Sequence, residues 1–409
     1  MENRQKTVRI IRIVLLAPVL LGMLTVAAAC LNPVSVDNCG YVVAIGADLG
    51  KSKAYDITLE LQRESAGEAT ENSGGALILS VEADDIFSAI DTLSSGIAYK
   101  LNFTRTHIFI FGEELAKKGR IPDFLEISFD VLRIRKSALM IVSKAPVRDY
   151  IGGLVSNNNA NIAKMQDALI SNVERTGEIS AVNISLFYEA VDEGRFDAVM
   201  PIGRYDSEII TDTKQYDATK KGENPIKDAK NASRIGGMQS LTEGSALFSG
   251  AAMVGTLSGY ETQFMNIVRG DFKEGSIFVE YDGKHASVFA IKNKRSIKIV
   301  ADGDNYAAKV IIKLNITVER DLEAQLGKRF YTGAGSALER FFERELKSVF
   351  IKCRDLGSDA MGFGRYVSML FKSTEALEAF DWKEAYKTFD ADFTVELTLD
   401  DGYLADDGQ

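Results

Sequence analysis

Residues 306–320 read Tyr-Ala-Ala-Lys-Val-Ile-Ile-Lys-Leu-Asn-Ile-Thr-Val-Glu-Arg. Val310, Ile312, Leu314, Ile316 and Val318 fall on one face; Lys309, Lys313, Asn315, Thr317 and Glu319 fall on the other. A period of two with one apolar side marks a half-buried strand. Upstream, Asp302-Gly303 and Asp282-Gly283 are hairpin signals between apolar runs at 296–300, 286–291 and 276–281. Consecutive hairpins make an antiparallel sheet with one wet face. Residues 258–268 read as a helix ahead of it. Downstream, Ser336 opens a long helix, with Glu339 completing a capping box. Leu338, Phe341, Phe342, Leu346, Val349, Phe350, Cys353 and Leu356 form its apolar stripe, and Gly357 ends it. Residues 393–399 alternate again as a last strand. A long amphipathic helix on a sheet is an α+β layer arrangement.

The first half reads as strand–helix units. Strands are expected at 40–47, 55–62, 76–81, 107–111 and 137–143. Asp84 or Asp85 caps a helix carrying Ile86, Ile90, Leu93 and Ile97. Further helices are expected from Glu113 to Gly119 and over 121–132. Residues 146–198 read as mainly helical, and 204–237 as a long polar loop or linker. The division expected is a leader (1–29), an N-terminal α/β domain (30–145), a middle domain with the polar loop (146–240) and a C-terminal α+β domain (241–405). The fold class is thus α+β, with three mixed or antiparallel sheet domains packed with helices.

Composition narrows the chemistry. With 409 residues, 46% hydrophobic and 26% charged, the chain is globular material. Its net charge of −10 argues against a nucleic-acid partner, which needs a basic face. Two histidines and three cysteines leave no zinc site of the Cys/His kind. Gly46-Ala-Asp-Leu-Gly50-Lys51-Ser52 looks like a phosphate loop, but its first glycine is one residue too close and a strand follows it. We read it as a hairpin turn. His107 is expected to be a half-buried packing residue and His285 a solvated one. No Gly-x-Ser-x-Gly elbow is present. Asp84-Asp85 is explained by helix capping and Asp400-Asp401 by a solvated tail. Trp382, the one tryptophan, is expected to pack rather than to bind sugar. No catalytic residue, cofactor site or metal site is selected. Cys39 and Cys353 could form one disulfide, although Cys353 on an apolar helix stripe reads better as a buried thiol.

The leader carries Arg4, Lys6, Arg9 and Arg12 against Glu2, then an apolar run over 13–26, then Ala27-Ala28-Ala29-Cys30. Charged n-region, short h-region and small residues before a cut form a secretory signal. The run is short for a membrane span, and Pro18 weakens it further. A cysteine directly after the small residues resembles a bacterial lipobox, with Ala27 where leucine is usual. Cys30 is therefore the candidate lipidation site. The alternatives are an ordinary cut near Ala29 and an uncleaved signal anchor. Removing residues 1–29, four bases and one acid, takes the net charge to −13. A body so acidic would be held to a bilayer by acyl chains, not by anionic headgroups.

Several ordered stretches resemble the Ger(x)C lipoprotein family, the C subunits of spore nutrient germinant receptors. After Cys30 comes Tyr41-Val-Val-Ala-Ile-Gly-Ala-Asp48, similar to the family's strand ending in Gly-x-Asp. Ile110-Phe-Gly-Glu-Glu-Leu-Ala-Lys-Lys-Gly119 and Arg133-Ile-Arg-Lys-Ser-Ala-Leu-Met-Ile-Val-Ser-Lys144 follow. The residues from Gly244 to Ser258 resemble the start of its C-terminal domain, and Asp359-Ala-Met-Gly-Phe-Gly364 its Asp-x-x-Gly-x-Gly signature. The resemblance implies a non-catalytic lipoprotein of three α/β domains, without cofactor. It would dock with integral membrane A-type and B-type receptor subunits on the outer face of the spore inner membrane. The bilayer contact would run through acylated Cys30. The rival classes are a solute-binding lipoprotein, which needs an interdomain pocket, and a lipid-anchored hydrolase, which needs a reactive group.

Overall fold

The computed structural model describes residues 39–62, 76–157, 162–205, 240–281, 284–303, 305–318 and 329–399. Residues 1–38 with Cys30, the polar stretch from 206 and the acidic residues from 400 lie outside them.

β1 (Cys39–Leu49) is apolar on both faces and sits inside a nine-stranded mixed sheet. On one side it pairs antiparallel with β2 (Tyr55–Gln62), which pairs antiparallel with β3 (Leu77–Ala83). On the other side it runs parallel to β5 (Ile108–Gly112), with the short β4 (Lys100–Asn102) beside its start. β6 (Leu139–Ser143) and β7 (Val199–Tyr205) continue the parallel part. β8 (Ser240–Ser249) and β9 (Ala252–Leu257) close the order antiparallel. All five residues of β5 and of β6 are buried, as expected of parallel strands covered on both faces.

Helices provide that cover. α1 (Ile86–Ser95), α2 (Glu113–Lys117) and α3 (Pro122–Asp130) pack on the face carrying Phe109, Phe111 and Met140. α4 (Val147–Asn157) and α5 (Ile162–Arg175) pack on the face carrying Val43, Ile108, Ile110 and Ile141. α6 (Ile184–Glu193) joins the first face through Ile184 and Phe187.

The second sheet has the order β10 (Glu274–Tyr281), β11 (Lys284–Asp302), β12 (Asn305–Val318), β13 (Asp390–Leu399). Its apolar face, Val310, Ile312, Leu314 and Ile316 in the lead, is covered by α7 (Gly259–Arg269) and α8 (Arg329–Asp355). The stripe read from the sequence, Leu338 to Cys353, is buried there. Three short helices, α9 (Phe363–Ser368), α10 (Thr374–Glu378) and α11 (Trp382–Tyr386), lead into β13.

Four local readings change. The runs at 286–291 and 296–300 are one 19-residue strand, β11, whose pairing slips between Ile291 and Lys294. The polar Lys292-Asn293 pair between the runs is a bulge inside this strand; Lys292 sits at φ 59°. The long helix starts at Arg329, ahead of Ser336, so Glu339 lies inside it and its carboxylate serves another strand. β13 runs parallel to β12, so the second sheet is mixed. Finally, a strand follows the helical stretch: Pro201 and Gly203 hide β7 from a propensity reading. Gly203 is required there, since a Cβ would lie 2.5 Å from the Tyr150 ring of α4. With β7, β8 and β9 in place, residues from all three expected segments share the nine-stranded sheet.

Candidate functional site

The two glycine–aspartate motifs seen in the sequence mark the two best-built polar sites. The first lies where β1 ends. Asp48 Oδ2 accepts the Val147 N–H at 2.7 Å, so a carboxylate meets the N-terminus of α4. Burial pushes the Asp48 carboxyl up to about 6, against the opposing pull of that hydrogen bond. The glycines give the clearance. A Cβ on Gly46 would stand 2.0 Å from Val147 Cγ1, and one on Gly112 would stand 1.9 Å from Asp48 Oδ1. The adjoining phosphate-loop look-alike does hold an anion, but it is the chain's own. The Lys51 and Ser52 amides donate to Glu82 at 3.0 and 2.9 Å, and Ser52 Oγ donates at 2.5 Å. These donors, the Ser52 hydroxyl foremost, pull the Glu82 carboxyl down to about 2.

The second site is deeper. Asp359 follows α8 and is 1% exposed. Its carboxylate accepts the Phe363 N–H at 2.9 Å, the Gly364 N–H at 2.7 Å and the Trp382 Nε1–H at 3.0 Å. Its backbone N–H donates to Asp197 Oδ2 at 2.9 Å, and the Asp197 N–H returns a bond to the Asp359 carbonyl at 3.2 Å. Asp197 Oδ1 accepts from the Gly250 N–H at 2.7 Å, in the β8–β9 turn. One pair of acids thereby ties together the start of β7, the β8–β9 hairpin, α9 and α11. Burial pushes Asp359 up to about 7; the Asp197 charge adds to this, and the amide donors oppose it. Asp197 is raised by burial too. Gly362 adopts φ 77°, which favours glycine, and caps α9. A Cβ on Gly364 would lie 2.1 Å from the Arg195 carbonyl and 2.3 Å from Trp382 Nε1. Each fixed residue of the Asp-x-x-Gly-x-Gly motif thus has a steric or hydrogen-bonding reason.

The family models follow this architecture. Residues 32–205 match the model described as the spore germination protein N-terminal domain. Residues 243–402 match the spore germination B3/GerAC-like C-terminal model. The chain belongs to the Ger(x)C family, the C subunits of spore germinant receptors. A crystal structure of the GerBC protein shares the fold: TM-score 0.52, 13% identity, over 87% of this chain and 96% of that one. No curated protein matches the sequence.

In this Ger(x)C protein the Asp197–Asp359 pair therefore joins the two family modules. A second seam lies at α7. Gln263 Nε2 donates to the Thr176 carbonyl at 2.7 Å, and Asn266 Nδ2 to the Gly177 and Ile179 carbonyls at 2.9 and 2.7 Å. Arg365 of α9 lies 3.5 Å above the Phe196 ring and pairs with Glu189 at 3.2 Å. A cleft of about 500 Å³ opens beside Trp382, between Arg195 on one module and Leu377, Phe380 and Lys383 on the other.

The remaining sequence candidates are placed as follows. Cys30 lies outside the described residues, as does the side chain of His285. His107 is half-buried ahead of β5; its Nδ1 donates to Gln166 Oε1 at 2.8 Å, because Gln166 Nε2 already faces the Ser137 carbonyl. Trp382 packs, 6% exposed, among Phe380, Tyr386 and Phe389. Cys353 is a buried thiol pushed up to about 12 by burial, and no disulfide joins it to Cys39. Asp85 is the acid that caps α1. Among the described residues no acid, histidine or cysteine cluster fits a metal, and no helix is long and apolar enough to cross a membrane. Sequence reasoning misses Asp197. Its signal is a single charge inside the apolar run Phe196-Asp197-Ala198-Val199-Met200.

Proposed function

We propose that this Ger(x)C subunit works by docking, without turnover, as the lipid-anchored part of a germinant receptor on the outer face of the spore inner membrane. Its partners would be integral A-type and B-type subunits, and its anchor a diacylglyceryl group on Cys30. The observation that carries the docking reading is the use made of the motif residues. Asp359, Gly362, Gly364, Gly46 and Asp48 are all engaged in holding elements together. None presents a nucleophile or a pair of facing acids to a substrate. Two acyl chains at about 0.8 kcal/mol per buried CH₂ suffice for stable anchoring.

The test is co-purification from detergent-solubilised spore membranes, with mass spectrometry of the mature N-terminus. Recovery of the two integral subunits and a lipidated Cys30 is expected. Retention of residues 1–29, or a mature N-terminus without lipid, would remove the anchor from this reading. Recovery of the chain alone would remove the receptor. The cleft beside Trp382 favours a second reading, a solute-binding lipoprotein. A thermal-shift screen with amino acids and sugars separates the two, since a scaffold shows no stabilisation.

A further inference from the structure

The two edges of the second sheet are finished in opposite ways. On β13, the Val395 and Leu397 N–H groups donate to Glu343 and Glu339 of α8, at 3.1 Å each. Those amides are the groups an added strand would need, and the helix has taken them. On the other edge, β10 covers β11 from Lys284 to Ile291. From 294 to 302, β11 pairs with β12 alone among the described residues. Every residue of that stretch is exposed except the half-buried Ile297 and Ile299.

The open stretch is chemically specific. Lys292, Lys294, Arg295 and Lys298 fall within seven residues that contain no acid, in a chain of net charge −10. Arg295 is engaged with the Val268 carbonyl, which leaves the lysines to face outward. Register with β12 puts Lys294, Ser296, Lys298 and Val300 on the outer face, beside Lys313, Ile311, Lys309 and Ala307. Ile297 and Ile299 fall on the helix side, against the core. A strand laid along this edge would meet lysines with alternate residues and isoleucines with the others. A second copy of this chain fits badly, because its own edge over 292–301 offers lysines and an arginine but no acid to pair with them.

We propose that the open edge at 294–302 receives an extended segment of alternating acidic and apolar residues from a neighbouring receptor subunit, added as a fifth strand. Main-chain hydrogen bonds supply the affinity, and the lysine–acid alternation supplies the register. The proposal rests on the receptor-subunit reading and gives that docking a place and a partner chemistry.

The full chain, produced with its integral partners, carries a photo-reactive phenylalanine in place of Val300. The expected crosslink maps to an acidic, apolar-alternating segment of another receptor subunit. Lys294→Glu with Lys298→Glu should lower its yield about tenfold, the loss of roughly 1.4 kcal/mol. The thermal unfolding of that variant should match the parent, because both positions are exposed. Reversing the acids of the crosslinked segment to lysine should restore the yield. Crosslinks to lipid, to a second copy or to residues 400–409 overturn the proposal. So does an unchanged yield in the double variant, or the absence of a crosslink while the subunits co-purify. If no receptor subunit co-purifies with the parent chain, the receptor reading itself falls and takes the edge proposal with it.

Discussion

Asp359 and Glu60 are carboxylic acids shut away from water, 1% and 0% exposed, yet their surroundings differ completely. Asp359 has three donors on its two oxygens. Glu60, on β2 between Ala44 of β1 and Ile78 of β3, has no hydrogen-bond partner on either oxygen. Burial pushes Asp359 up to about 7 and Glu60 up to about 8. Asp359 shows how a buried acid organises a junction when amides converge on it. Glu60 shows an acid that the fold tolerates by keeping it protonated at neutral pH.

The sharpest way to break this comparison is to remove each acid. Asp359→Ala strands two amides and an indole N–H, each an unsatisfied buried donor, and should cost about 4 kcal/mol in urea unfolding. A loss under about 1 kcal/mol would mean that the junction does not depend on it. Glu60→Gln should act oppositely and with pH. The folded pKa, about 8, exceeds the ordinary value of 4.5, so the folded chain holds an extra proton between them. Stability is then greatest below 4.5 and is lost as pH rises through 8. Asp359 has the same sign, with its loss complete above about 7. Glu60→Gln should therefore gain up to about 5 kcal/mol at pH 9 and almost nothing at pH 4. Equal effects at both values would show that Glu60 does not titrate in this range.

Glycines at the two places sharpen the contrast further. Gly364→Ala puts a methyl 2.1 Å from the Arg195 carbonyl and should cost about 2 kcal/mol. Gly152, on α4 above the sheet near Glu60, has only Ile78 Cδ1 within reach, at 3.9 Å. Gly152→Ala should stabilise by roughly 0.5 kcal/mol through helix propensity. Thermal melts of both variants check the signs, and a reversal at either would contradict these packing distances.

Secondary structure is legible in the sequence where alternation or an unbroken apolar run marks a strand. β2 is found at 55–62 as read, the doubly covered β5 and β6 fall in the apolar runs at 107–111 and 137–143, and the alternation of β12 identifies the face that α8 covers. Reading fails where proline, glycine or polar residues interrupt a strand. β7 carries Pro201 and Gly203, and the bulge at Lys292-Asn293 splits the one strand β11 into two apolar runs. The motifs are legible as residues but not as partners. Nothing in Asp359-Ala-Met-Gly-Phe-Gly364 points to Trp382, and nothing local points to Asp197, 162 positions earlier. Such pairing is a property of topology, which one-dimensional spacing does not carry.

That separation also sets a timetable for assembly. Asp197 precedes Asp359 by 162 positions, so in vectorial synthesis or export it is available to fold long before its partner. The β8–β9 hairpin arrives in between and completes the first sheet, but Asp197 still lacks the peptide that occupies its second oxygen. Closing so long a loop is slow, because entropy is lost before any contact rewards it. A chain truncated after the hairpin but before residue 359 would keep the first sheet and never close the junction. Its hairpin turn would be held by one aspartate alone and would be a target for proteases. Completion of synthesis would thus be read out by the fold itself.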